Sequence, residues 1–327
     1  MNIYITLDYE LFLNDITGDV EHCLVKPTEE FLRITDKYGV KATFFVDAAY
    51  LWRLNELKKE YPQLSSDYLL VTNQIRSICS ANHKIALHLH PQWFYSKYDG
   101  LRWILDFEHY KLSDMPVEKA DYFFVNCLKL LKDIAGVNVD SFRAGGYSIQ
   151  GYKSFPKILK SNGITKDSSV LFGMKNLSKL HYYDYTSLSS SQIYEFEDNI
   201  LVPVETKGSH ITEYPISTAQ IPFLRYCYTK LLNRKIQNND NWGNGGDLPM
   251  NRRTGFIMNF FKKFRFNVPA YASIDYQSFS FTDYVIRKQQ KQSADLVIMG
   301  HPKNFSPASL NYLERLMGQK DHIFKTL

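Results

Sequence analysis

Short apolar runs that end in polar or charged residues recur along the chain and alternate with longer stretches of helical periodicity, the pattern of an α/β fold with parallel strands. The runs read as strands are Asn2 to Leu7, Lys41 to Val46, Lys84 to His88, Ser141 to Arg143, Ile200 to Pro203 and Leu296 to Met299. Between them, Thr28 to Tyr38 carries Phe31, Leu32 and Ile34 behind a Pro27–Thr28 start, and Val117 to Ile134 carries Phe123, Phe124, Cys127, Leu128, Leu130 and Leu131 at near-helical spacing. Helices of this kind cover a central sheet. Tyr182 to Ser191 is rich in Ser and Tyr, and Asn238 to Gly246 (NNDNWGNGG) is dense in Asn and Gly, so both read as loops at the borders of insertions. With no internal repeat in view, the expectation is a single catalytic domain over 1–327 with an elaborated insertion around 205–275.

Composition excludes a disordered or fibrous chain: 44% of the 327 residues are hydrophobic and 15% aromatic. The net charge of +5 comes from 39 basic and 34 acidic residues spread along the sequence, which argues against a nucleic-acid surface. One stretch departs from that spread. Arg252, Arg253, Lys262, Lys263 and Arg265 lie among Phe256, Phe260, Phe261, Phe264 and Phe266. The simpler reading is a solvated basic helix face; the alternative is peripheral contact of 252–266 with anionic lipid or a sugar phosphate. Cys23, Cys79, Cys127 and Cys227 form no C-x-x-C pair and read as free thiols. The chain opens directly on a strand-like run, without the basic and apolar regions of a signal peptide, and nowhere reaches a membrane-spanning apolar length, so a cytoplasmic, soluble protein is expected.

Four constellations carry candidate chemistry. In TLDYELF, Asp8 and Glu10 stand i and i+2 at the end of a strand, so both side chains point into one space, although carboxylates there are often only turn or cap residues. In IALHLHPQW, His88 and His90 repeat that spacing, and two imidazoles on one face with a carboxylate suit a borderline-soft divalent metal. In SFRAGGYS, Arg143 can hold a carboxylate, while Gly145 and Gly146 let the backbone approach a ligand. In LVIMGHPK, His301 ends the last strongly apolar run and is placed for general acid work, with Asp167 of KDSSV as a residue that either tunes it or caps a turn.

Taken in order, TLDYE, ATFFV, HKIALHLHPQW, FRAGGYS, KDSSV and VIMGHP resemble the successive motifs of the polysaccharide deacetylases, the NodB-homology group also known as carbohydrate esterase family four. The resemblance covers residues 2 to about 172 and resumes near 294, and is closest to divergent members that accompany O-antigen and capsule glycosyltransferases. It implies a distorted (β/α)7-type barrel, one divalent ion (zinc first; cobalt, nickel or manganese as alternatives) and hydrolysis of an N-acetyl group on a sugar or glycan precursor. Residue by residue, it gives Asp8 as the base, Arg143 as the arginine that restrains it, Tyr147 as the oxyanion amide and His301 as the general acid. Glu10, His88 and a second histidine take the metal.

The sequence also departs from the family pattern. The acidic ligand stands one residue further from the base, beyond Tyr9, and the residue four after His88 is Gln92 instead of histidine. His90 is therefore expected as the second imidazole ligand, with Gln92 as the alternative. The arginine motif has AGG where two prolines are common. Trp93, with Tyr95, Tyr98 and Trp103 nearby, together with Gly145 and Gly146, is a candidate for contact with the sugar. The rival readings are a hydrolase of another C–N bond, such as a deformylase or imidase, and a metal-free barrel that grips a carbohydrate or a partner protein. An amidohydrolase-type barrel fits less well, since its H-x-H pair closes the first strand.

Overall fold

The structure, a computed structural model, describes residues 1–204, 210–236, 241–246, 267–276, 278–292 and 294–327. Its centre is a set of short strands: β1 (Asn2–Tyr9), β2 (Thr43–Asp47), β3 (Lys84–Leu89), β4 (Ser141–Ala144), β5 (Lys166–Asp167), β6 (Ile211–Glu213) and β7 (Leu296–Gly300). They pair in parallel in the order β7-β1-β2-β3-β4-β5-β6. From Ile3 on, every residue of β1 is buried, as expected where helices cover one face of a strand and a packed interior the other.

The sheet curls until its ends meet. Just past β6, the Ser217 amide donates to the Val297 carbonyl at 3.1 Å. The Val297 amide in turn donates to Ser217 Oγ at 3.0 Å, and Tyr4 meets Tyr214 edge-on at 5.3 Å. The result is a seven-stranded α/β barrel, distorted at that seam because side-chain and single backbone bonds replace a full ladder.

The expected helices form with their punctuation. Helix α1 (Lys26–Tyr38) has Pro27 in its first turn and stops at Gly39, whose φ of 64° continues the chain in the left-handed region. Helix α2 (Ala48–Leu57) starts directly from β2, with Asp47 accepting from the Ala49 amide. Helices α3 (Pro62–Ser80) and α4 (Val117–Ala135) pack outside, Phe124 of α4 meeting Phe142 of β4 at 5.3 Å, and the short α5 (Lys157–Ser161) precedes β5.

Some expectations change. The run from Ile200 contributes only Pro203–Val204, an antiparallel partner of Tyr194–Phe196 outside the barrel proper. Asn199 explains this: its side chain accepts from the Leu201 amide and its carbonyl from the Val202 amide, both at 2.9 Å, and the turn so formed takes up the apolar residues. Tyr182–Asp184, read as loop, pairs with Lys175–Leu177. Strands β5 and β6 went unread because two and three residues show no period.

Beyond β6, strands Thr218–Pro222 and Asn267–Tyr271 pair antiparallel as a two-stranded ribbon beside α6 (Phe223–Ile236) and α7 (Phe279–Lys291), with a small separate core of Ile221, Ala270 and Phe281. Helix α8 (Pro307–Met317) returns to the main barrel. The basic and aromatic stretch 252–266 lies outside the described residues. Among the described residues, no helix is long and apolar enough to cross a membrane. The four cysteines are free, Cys23 and Cys127 buried and the other two partly so.

Candidate metal centre

Parallel register builds the site. Asp47, His88 and Arg143 stand level on β2, β3 and β4, so their side chains project to the same, inner face. Asp8 pairs with Phe45 two steps earlier on that face, and Glu10 and His90 extend it just beyond the ends of their strands. The six groups therefore meet at the carboxyl ends of the strands, where α/β barrels carry their chemistry.

Glu10, His88 and His90 offer ligand atoms that all lie within 4.8 Å of one another, and all three residues are buried. Glu10 Oε2 is 3.1 Å from His88 Nε2 and 2.7 Å from His90 Nε2, and the two Nε2 atoms are 3.1 Å apart. His88 Nδ1 faces the Arg143 carbonyl at 2.9 Å, a bond that makes Nδ1 the donor and leaves Nε2 as a lone-pair ligand. Two imidazoles and a carboxylate converging on one point are a donor set suited to zinc or a similar divalent ion.

Asp8 lies beside this cluster in the grip of Arg143. The guanidinium donates to Asp8 Oδ1 at 2.6 Å, to Thr6 Oγ1 at 2.9 Å, and to the carbonyl and hydroxyl of Ser168 at 2.9 and 2.8 Å. Its flat face rests on the Phe45 ring at 4.1 Å. Burial would raise the Asp8 pKa, but Arg143, His88 and His301 together outweigh it, so Asp8 titrates below its ordinary range and is ionised at neutral pH.

His301, at the end of β7, turns Nε2 toward the same space, 3.8 Å from Asp8 Oδ2 and 3.6 Å from Glu10 Oε1. Its Nδ1 is 2.8 Å from Asp275 Oδ2, and its amide donates to Asp275 Oδ1, also at 2.8 Å. Burial works against the imidazolium, yet Asp275 and Glu10 raise the His301 pKa above the ordinary value.

The tuning carboxylate is thus Asp275 and not Asp167. Asp167 stands level with Phe142, one position out of step with Arg143, and so faces the helices. There it accepts from the Ser169 hydroxyl at 2.9 Å and shares a hydrogen bond with Glu213.

Three further expectations are corrected. Trp93 is fully buried between the rings of Tyr50 and Trp103, at 4.8 and 5.1 Å, and does not reach the cavity. Gln92 is likewise fully buried and does not line the cavity, its side-chain N and O finding no protein partner. Gly145 serves His90 instead of substrate: a Cβ there would stand 2.5 Å from the Leu89 carbonyl and 2.7 Å from His90 Nδ1. Gly146 and Tyr147 do line the cavity. Tyr147 adopts φ 60°, rare for a side chain of this size, and is held by the Tyr185 hydroxyl donating to its carbonyl at 2.7 Å.

The cavity above the cluster measures about 390 Å³ and adds Phe12, Phe107, Tyr110, His181 and Lys303 to the residues above. Lys303 was not singled out by sequence, although it stands two residues after His301, the spacing that marks the other pairs. Its Nζ donates to Glu10 Oε1 at 2.8 Å and to the Leu11 carbonyl at 2.7 Å, fixing the carboxylate oxygen that faces away from His88 and His90. Asp275 also went unread, since it follows the polar Ser273 in a segment that shows no clean alternation.

No family model matches the chain, and no curated protein matches it. Among solved structures it is similar to an allantoinase, Puue, at 11% identity over 99% of this chain and 87% of that one, with a TM-score of 0.48. A Mycobacterium smegmatis protein provisionally described as a polysaccharide deacetylase shares 16% identity over 90% of this chain and 72% of that one, at 0.47. The catalytic domain of a peptidoglycan N-acetylglucosamine deacetylase from Eubacterium rectale shares 14% over 99% and 87%, at 0.41. All three superpositions score under one half, so the chemistry is read from this chain's own residues.

Proposed function

We propose that the chain is a metal-dependent hydrolase that removes an N-acetyl group from a sugar or glycan precursor, as the resemblance of its motifs implies. The observation that carries this reading is the convergence of Glu10, His88 and His90 within ligand distance of one point, beside a carboxylate that Arg143 keeps ionised. Glu10 Oε2, His88 Nε2 and His90 Nε2 would hold the ion. When bound, a divalent ion supplies Lewis-acid polarisation of an amide carbonyl and lowers the pKa of a water.

The remaining work falls to the protein. Asp8 takes the proton from the attacking water, and Arg143, with its own hydrogen bonds satisfied by Thr6 and Ser168, keeps the accepting oxygen in place. The Tyr147 amide, in its constrained turn, is the candidate donor to the developing oxyanion. His301, whose imidazolium Asp275 favours, gives a proton from Nε2 to the leaving nitrogen, which departs as the amine of the sugar with acetate as the other product.

Elemental analysis of the purified protein and of His88→Ala and His90→Ala tests the reading, together with acetate release from N-acetylated sugars. About one ion per chain, absent from both variants, with acetate released only by the loaded wild type, is expected. A wild type that takes up neither zinc nor cobalt would overturn it in favour of a metal-free carbohydrate-binding barrel.

A further inference from the structure

The far end of the barrel carries a surface that the chemistry above does not use. Helix α7 runs down the outside and ends at Lys291, five residues before β7 begins, whereas His301 follows the end of β7. The last turn of α7 is therefore at the amino ends of the strands, opposite the cavity.

Helix α6 packs beside it. One face is occupied: Tyr226 stacks on Phe281 at 5.3 Å, over the small core of Ile221 and Ala270. The opposite face carries Leu224, Tyr228 and Leu231, spaced four and three residues apart and so aligned in one stripe, with exposures of 81%, 63% and 60%. Three large apolar side chains so exposed in a row, on a helix already packed on its other side, mark a contact surface.

Charge says what kind of contact. Arg225, Arg287, Lys288 and Lys291 line one concavity between the two helices, and among the described residues no carboxylate lines it. None of the four forms an ion pair among the described residues. Arg225 and Lys288 rest on the Tyr284 ring at 4.8 and 5.7 Å, which orders them without neutralising them. The sequence 223–236 contains no Asp or Glu, and the one acid of α7, Asp283, already accepts from the Tyr312 hydroxyl at 2.8 Å. A stripe of Leu and Tyr flanked by cations that form no ion pair among the described residues matches the boundary of an anionic bilayer, acyl chains beneath phosphates. A nucleic acid would answer the cations but leave the stripe in water.

We propose that α6 and the end of α7 dock the protein on an anionic membrane surface, Leu224, Tyr228 and Leu231 entering the headgroup boundary while Arg225, Arg287, Lys288 and Lys291 meet lipid phosphates. The docked orientation turns the cavity away from the bilayer. This inference does not rest on the hydrolase reading.

Cosedimentation of the full chain with vesicles of phosphatidylglycerol and phosphatidylcholine in equal parts tests it, against vesicles of phosphatidylcholine alone. Binding to the anionic vesicles, weakened by added salt, is expected. The double change Arg287→Glu and Lys288→Glu should weaken it roughly thirtyfold or more. Leu224→Ser with Leu231→Ser should abolish retention at high salt, both variants keeping the wild-type circular dichroism and metal content. Equal binding to both vesicle types, no binding to either, binding unmoved by both variants, or capture of an oligonucleotide in place of vesicles would each overturn the proposal. Self-association of the wild type that is lost in the leucine variant, without vesicle binding, would also overturn it.

Discussion

Arg143 has five N–H groups, and its hydrogen bonds to Asp8, Thr6 and Ser168 leave it little freedom to turn. Asp8 is held by one strong bond and faces the cluster with its other oxygen, which stands 3.8 Å from His301. A base so placed needs its charge but not its metal-binding capacity. Asp8→Asn keeps size and a hydrogen-bonding oxygen and removes the charge. It should lower kcat by about a hundredfold or more while about one ion per chain is retained. Steady-state kinetics beside elemental analysis reads both quantities, and a near-normal rate would remove Asp8 from the base role.

At the level of elements, the decisive quantity is strand register. Pairs two apart, Asp8 with Glu10 and His88 with His90, share a face on any strand, so their convergence was legible from spacing. Asp167 was not, because its face depends on whether β5 stands level with Phe142 or with Arg143, and only the pairing decides that. Facing outward, it meets Glu213 of β6, also fully buried, whose Oε1 accepts from the Val170 amide at 3.0 Å.

Burial, and then the charge of Asp167, raises Glu213 well above the ordinary range, with Val170 and Arg143 opposing and Tyr185 and Tyr194 close by. The proton shared by the two carboxyls thus belongs on Glu213. A carboxyl whose folded pKa is raised stabilises fully below its unfolded pKa and loses that contribution as pH rises toward the folded one. Glu213→Gln keeps a donor to Asp167 and an acceptor for Val170 at every pH. Compared with the wild type it should therefore gain stability from acid to neutral pH. Urea unfolding of both proteins across that range measures the difference; parallel curves would mean that the pair does not share a proton.

For the whole molecule, barrel closure brings residues 8 and 10 beside 88 and 90, 143, 275, 301 and 303. The cluster exists only in the folded chain, so an ion that binds there stabilises the fold by mass action. Zinc at a hundred times its dissociation constant should add about 2.7 kcal/mol. Thermal melts of the metal-stripped protein with and without added zinc test this, and a midpoint indifferent to zinc would argue against the cluster as a metal site.

The sequence by itself determined the parallel α/β class, the helices α1 and α4, and the two i, i+2 pairs, because each follows from periodicity within a few residues. Only the tertiary structure decided that His301 answers to Asp275, that Lys303 holds the outer oxygen of Glu10, and that Trp93 belongs to the core. Those assignments depend on which residues of distant segments end up level with one another and on which side of the wall they fall. Sheet register and the closure of the barrel set both, and neither is encoded in any one stretch of the chain.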